Sequence, residues 1–199
     1  MTKKKESEIT INDENPNILN EYLEAVRDGD GNRIDNSSKV LSDHIISKVS
    51  KAIKTFYEND SFLLENKMNE MTVCGRLAIY LQEEFNDFKG YYVDTEYYRL
   101  KIPIEDANLK TDRIRCDILF HSRGENNSRV DNLLAIEAKL EDNPDNGGND
   151  LVRLEEFVLP KTDETPEGAI HSTLIGLFLR FGTDKCTAMR ITPIDLDID

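Results

Sequence analysis

The chain has 199 residues, 38% of them hydrophobic and 32% charged, with a formal net charge of -14. That length suits one domain with a sizeable buried core, and no apolar run approaches the roughly eighteen residues of a membrane span. The acidic balance disfavours a nonspecific nucleic-acid binder, because affinity for phosphate backbones comes largely from Lys and Arg.

The first residues, MTKKKESE, are basic without an apolar region behind them, which is not the pattern of a secretory signal, and a cytoplasmic protein is expected. Three cysteines, Cys74, Cys116 and Cys186, are far apart and form no Cys-x-x-Cys. They are expected as buried small hydrophobes rather than a disulfide framework or a zinc site. Charge is unevenly spread: residues 1–96 carry 12 basic and 19 acidic side chains, 97–139 carry 8 and 7, and 140–199 carry 5 and 13. The central segment alone is compatible with a polyanion.

Residues 1–15 are polar and aperiodic, as in a disordered tail, and 15–26 read as a short helix with Pro16 in its first turn. The stretch 28–35 (DGDGNRID) resembles a calcium loop only superficially, since Arg33 stands where the sixth-position Gly belongs and Lys39 where the twelfth-position Glu belongs. It is read as a turn-rich linker. Leu41, Ile45, Val49, Ile53 and Phe56 repeat at helical spacing within 38–57, and Val73, Leu77, Tyr80 and Leu81 within 69–85. Residues 90–102 are rich in aromatic and β-branched types and predict a strand, followed by a loop at 103–112. Two apolar runs follow, 113–121 (RIRCDILFH) and 133–139 (LLAIEAK), separated by a polar gap. A breaker cluster at 143–150 leads to a short helix that Asp150 can cap, ending near Val158. After a polar loop at 160–168, residues 172–182 predict a buried strand, 186–191 a last one, and 195–199 an acidic tail. Helices, then three strands, then a helix and one or two strands predict an α/β protein with a mixed sheet flanked by helices.

The two central runs hold the candidate chemistry. If both are strands paired antiparallel, Glu137 and Lys139 share a face, about 6.6 Å apart along the chain, and Asp117 lies beside them. Two carboxylates about 4 Å apart repel by roughly 4 kcal/mol at an effective dielectric of 20, so a half-buried pair needs a cation. Oxygen donors with room for water suit Mg²⁺ or Mn²⁺. The motif alone is cheap, because Glu65 and Lys67 repeat Glu-x-Lys with no role assigned. A solvated hairpin is the bland alternative, and 133–141 has good helix propensity. In a helix Glu137 and Lys139 would not share a face.

Asp117 followed by Glu137-Ala-Lys139 at the end of the next apolar run resembles the signature of the PD-(D/E)XK, or restriction-endonuclease-like, nuclease superfamily. The run from Glu70 through Arg76 to Leu81, followed by 93–99 (VDTEYYR), resembles the helix and first strand of its uncharacterised bacterial and phage members. The resemblance covers about residues 69–181 and implies an αβββαβ core with an N-terminal helical addition. Residues 1–37 would then be polar tail, short helix and linker, and 38–199 a single nuclease-like domain. It further implies Asp117, Glu137 and Glu70 as ligands of Mg²⁺ or Mn²⁺, Lys139 as the catalytic lysine, and nucleic acid, DNA first, as substrate. Glu96 and Arg99 are weaker candidates beside a structural-pair reading. Cys116 stands where the name-giving proline would be, and the helix after Asp150 lacks the Gln-x-x-x-Tyr pattern of the exonuclease branch. His44, His121 and His171 are isolated; His121 shares the face of Asp117 and is read as a surface residue. The leading expectation is a Mg²⁺-dependent nuclease. The alternatives are a nuclease-like binding or regulatory subunit without turnover, favoured by the net charge, and an acidic protein that fills a basic groove on a partner. A homodimer mate or partner protein could supply missing basic surface.

Overall fold

The computed structural model describes residues 17–100, 113–125, 130–145, 147–158 and 173–192. The expected tail at 1–15, the loops at 103–112 and 160–168, His171 and the acidic end at 195–199 lie outside them. Two compact units divide between Ser47 and Lys48, inside the long second helix.

The first unit holds α1 (Ile18–Asp28) and the beginning of α2 (Gly31–Asp60). Ile18, Tyr22 and Ala25 form the buried stripe of α1, and Gly29 ends it at φ 70°, returning its N–H to the carbonyls of Ala25 and Val26. Residues 31–37, read from sequence as linker, are the first turns of α2. The reason is local: the Asp30 carboxylate caps the Arg33 N–H at 3.2 Å, and the Ser37 and Ser38 hydroxyls return to carbonyls of the turn before. A polar run thus forms an exposed helix instead of a loop. No helix among the described residues is long and apolar enough to cross a membrane.

The second unit is a mixed α/β structure. After a short α3 (Phe62–Glu65), which has no clear sequence signal, α4 spans Glu70–Glu84. Asn69 caps it, its side chain accepting from Thr72 N–H at 2.8 Å. Val73, Leu77 and Leu81 are fully buried, whereas Tyr80, expected on that stripe, is half-buried and donates its hydroxyl to Asp60. Strands β1 (Tyr92–Leu100), β2 (Arg113–His121), β3 (Asn132–Leu140), β4 (Ile175–Phe181) and β5 (Cys186–Ile191) form one sheet in the order of the chain. All neighbours are antiparallel except β3 and β4, which are parallel and are separated in sequence by α5 (Gly148–Val158).

β3 is a strand despite its helix propensity. It lies between β2 and β4 and is buried without interruption from Asn132 to Ala138, so its continuous apolar run faces covered ground on both sides. Ladder bonds and two-sided burial outweigh an intrinsic preference worth tenths of a kcal/mol per residue. On one face, Leu119 and Ala135 pack with Leu154, Phe157 and Val158 of α5. From the other face, Phe120 stacks on Phe85 at the end of α4, ring centroids 4.2 Å apart. Cys74 and Cys116 are buried as expected, while Cys186 on β5 is partly exposed.

The seat of α5 depends on Gly176. A Cβ there would lie 2.9 Å from Leu154 Cγ and 3.0 Å from Val158 Cγ2. Gly176→Ala should therefore lower unfolding free energy by about 1–3 kcal/mol through overpacking, read as a reduced midpoint in urea. An unchanged midpoint would mean that α5 is free to shift.

Candidate active site

Strands β2 and β3 pair from His121–Asn132 to Ile118–Ile136. One step further stand Asp117 and Glu137, and there a side chain enters the ladder: the N–H of Ala138 donates to Asp117 Oδ2 at 2.8 Å. β2 meanwhile stays paired with β1 as far as Arg113. The carboxyl end of β3 thus departs from β2 at a fork, with Asp117 on one prong and Glu137 and Lys139 on the other.

Two helices deliver further charge to the fork. Glu70, the first residue of α4, accepts at 3.4 Å from both the Leu140 N–H and the Asn143 side-chain amide, and pairs with Lys139 Nζ at 3.2 Å. Asp150, in the first turn of α5, holds Lys139 Nζ at 2.8 Å. Arg153, one turn further, spans Glu137 at 3.3 and 3.4 Å and also pairs with Asp150. Four carboxylates therefore surround two cations. Lys139, Glu137 and Asp150 are largely buried, while Arg153 keeps 38% of its side chain exposed.

Burial and crowding decide the protonation states. Removal from water, followed by repulsion from Asp117, pushes the Glu137 carboxyl up to about 8 despite the opposing pull of Arg153. Asp117 is also raised, by burial first and by Glu70, against the Ala138 N–H that favours its charged form. For Lys139, burial works to lower the pKa, but its bonds to Asp150 and Glu70 win and raise it. It is a fixed ammonium at neutral pH, a hydrogen-bond donor and not a general base.

The structure thus brings together all four residues singled out in sequence, Asp117, Glu137, Lys139 and Glu70. Asp150 and Arg153 were missed. Asp150 reads as a cap, but α5 starts two residues earlier, at Gly148, which turns that carboxylate inward. The available signal was the stripe 150, 154, 157 and 158, which places Asp150 on the buried side of the helix. Glu96, at φ 51°, pairs with Arg115 at 3.1 Å, and the Arg99 side chain lies outside the described set.

His121 is not a surface residue. It is fully buried, with Nε2 3.0 Å from Asp94 Oδ2, and Arg123 grips the same carboxylate at 2.6 and 2.9 Å. His121 pairs with Tyr92 of β1 and Asn132 of β3, an interior position in the sheet, while Asp94 and Arg123 keep part of their surface in solvent. His44 is likewise buried.

Among the described residues, no three His, Cys, Asp or Glu side chains are arranged to hold a metal ion; Lys139 and Arg153 stand paired with the carboxylates. Neither a protein-family model nor a curated protein nor a solved structure matches this chain, so the meaning of the fork rests on its own geometry.

Proposed function

We propose that this protein is a metal-dependent nuclease of restriction-endonuclease-like fold, hydrolysing phosphodiester bonds of nucleic acid, DNA first. The observation that carries the reading is the fork, where Asp117, Glu137 and Lys139 meet on adjacent strands with Glu70 arriving from α4. The order α4, β1, β2, β3, α5, β4 matches the αβββαβ order that the sequence resemblance implies.

In chemistry, though not in the metal-free arrangement, the donor set fits a hard divalent cation. With all four acids ionised, Lys139 and Arg153 leave two negative charges uncompensated, and burial with repulsion from Asp117 raises the Glu137 carboxyl in keeping with that deficit. Asp117, Glu137 and Glu70 would hold Mg²⁺ or Mn²⁺, oxygen ligands of the type these ions prefer. Such an ion, when bound, polarises a phosphoryl oxygen and lowers the pKa of a water. Lys139, charged and fixed by Asp150 and Glu70, donates hydrogen bonds that orient the attacking water and stabilise charge developing on the phosphate. The buried wall of β3 keeps bulk water from one side of the reacting group.

The test is incubation of the full chain with single- and double-stranded DNA and RNA in Mg²⁺ or Mn²⁺, with an EDTA control. At least one substrate should be cut, and EDTA should stop it. A second reading, a nuclease-like scaffold without turnover, is favoured by the net charge of -14 and by the ion pairs that Lys139 and Arg153 already make with the site's carboxylates. Calorimetric titration separates the two, because a scaffold has no need to bind Mn²⁺ at millimolar concentration. Assembly with a second copy or a partner offering basic surface belongs to either reading.

A further inference from the structure

We infer that Arg153 is a built-in counter-cation that occupies Glu137 in the metal-free site and must be displaced for a divalent ion to bind, so that it sets the threshold for metal loading. This rests on the metal reading above and adds a regulating residue to it.

The two cations of the fork are held differently. Lys139 is 12% exposed and sits 2.8 Å from Asp150 and 3.2 Å from Glu70. Arg153 is 38% exposed, and both of its contacts to Glu137, at 3.3 and 3.4 Å, are longer than the roughly 2.7–2.9 Å of a tight charge-assisted bond. Glu137 itself is only 2% exposed, so what neutralises it is not solvent. Arg153 is therefore gripped loosely by Glu137 and closely by Asp150, a cation that can release the first while staying anchored on the second. It touches Glu137, which the metal reading needs as a ligand, and it keeps a second anchor on Asp150.

A divalent ion on Glu137 takes the lone pairs that Arg153 now contacts and repels the guanidinium at close range. Linkage makes the two reciprocal: the tighter Arg153 holds Glu137, the weaker the ion binds. An arginine placed only to brace α5 would, once lost, tighten the ion through its missing charge alone, and its charge-keeping replacement by lysine would bind the ion as wild type does.

The test is a calorimetric titration of the metal-free full chain with Mn²⁺ alone, comparing wild type, Arg153→Gln and Arg153→Lys. The expected result is at least tenfold tighter binding by Arg153→Gln, and a smaller gain by Arg153→Lys, which keeps the charge but cannot span Glu137 with two nitrogens. Melting with and without Mn²⁺ adds a second readout: Arg153→Gln should melt lower than wild type without metal and show the larger metal-induced rise. If Arg153→Gln does not fold without metal, the Arg153→Lys titration decides alone. Wild-type binding with no gain in Arg153→Lys overturns this inference and leaves the metal reading standing. No binding by any of the three overturns both.

Discussion

Lys139→Ala should reduce divalent-dependent cleavage by at least about a hundredfold while leaving Mn²⁺ binding intact or tighter. The magnitude is that of removing a fixed donor aimed at developing charge, about 10²–10³ in rate. Metal affinity moves the other way, because losing one positive charge among four carboxylates makes the fork more negative. The split separates a residue that acts on the reacting phosphate from one that only holds the site together. Stability will also fall, since Glu70 and Asp150 lose the cation between them, and breaking one partner of a largely buried ion pair costs about 3–5 kcal/mol. The assay therefore belongs well below the melting temperature of the variant, with Lys139→Arg as companion. Arginine keeps the charge and most of the stability, but its planar fork cannot place a single donor where the ammonium sits. Cleavage by Lys139→Ala within a few-fold of wild type would remove Lys139 from the chemistry and the nuclease mechanism with it.

The sequence carries the elements around the fork more clearly than the fork itself. α4 is legible because Val73, Leu77 and Leu81 repeat at helical spacing behind a capping Asn69. β3 is legible only conditionally: its residues favour a helix locally, and burial on both faces, a property of its neighbours, makes it a strand. Glu137 and Lys139 then share a face by strand geometry alone. The breaking of the β2–β3 ladder at Asp117 could not be read in advance, because a side chain replacing a ladder bond depends on how far two strands diverge. Asp150 was hidden because α5 begins ahead of it, at Gly148, making the expected cap a buried first-turn residue paired with Lys139, and Arg153 because its partner Glu137 lies on another element. The polar run after Asp28 shows the opposite error, since composition suggests a linker where capping and hydroxyl bonds sustain a helix. His121 failed on exposure alone: β2 is regular through it, but a polar residue at a strand end gives no sign that the sheet and Asp94 will enclose it.

The second large effect concerns pH. In the metal-free protein the Glu137 carboxyl is raised from 4.5 to about 8, so between those values the folded state keeps a proton that the unfolded chain has released. Stability from this group is full below about 4.5 and is lost as pH rises toward 8. At about 1.4 kcal/mol per pKa unit, the loss is on the order of 4 kcal/mol. Asp117 is raised as well and adds to the slope with the same sign. Lys139 does not distort the window, because a raised lysine pKa holds its contribution constant until pH exceeds its ordinary 10.5. Glu137→Gln, which mimics the neutral acid and cannot ionise, should therefore match wild type near pH 4.5 and exceed it at pH 8, by urea unfolding in EDTA. Saturating Mn²⁺ should reverse the ranking at pH 8, since wild type then gains a cation for its ionised carboxylate and the glutamine variant gains less. Parallel pH profiles in EDTA would mean that the folded state holds no proton on Glu137 that the unfolded chain releases, and would remove Glu137 as the source of the pH dependence.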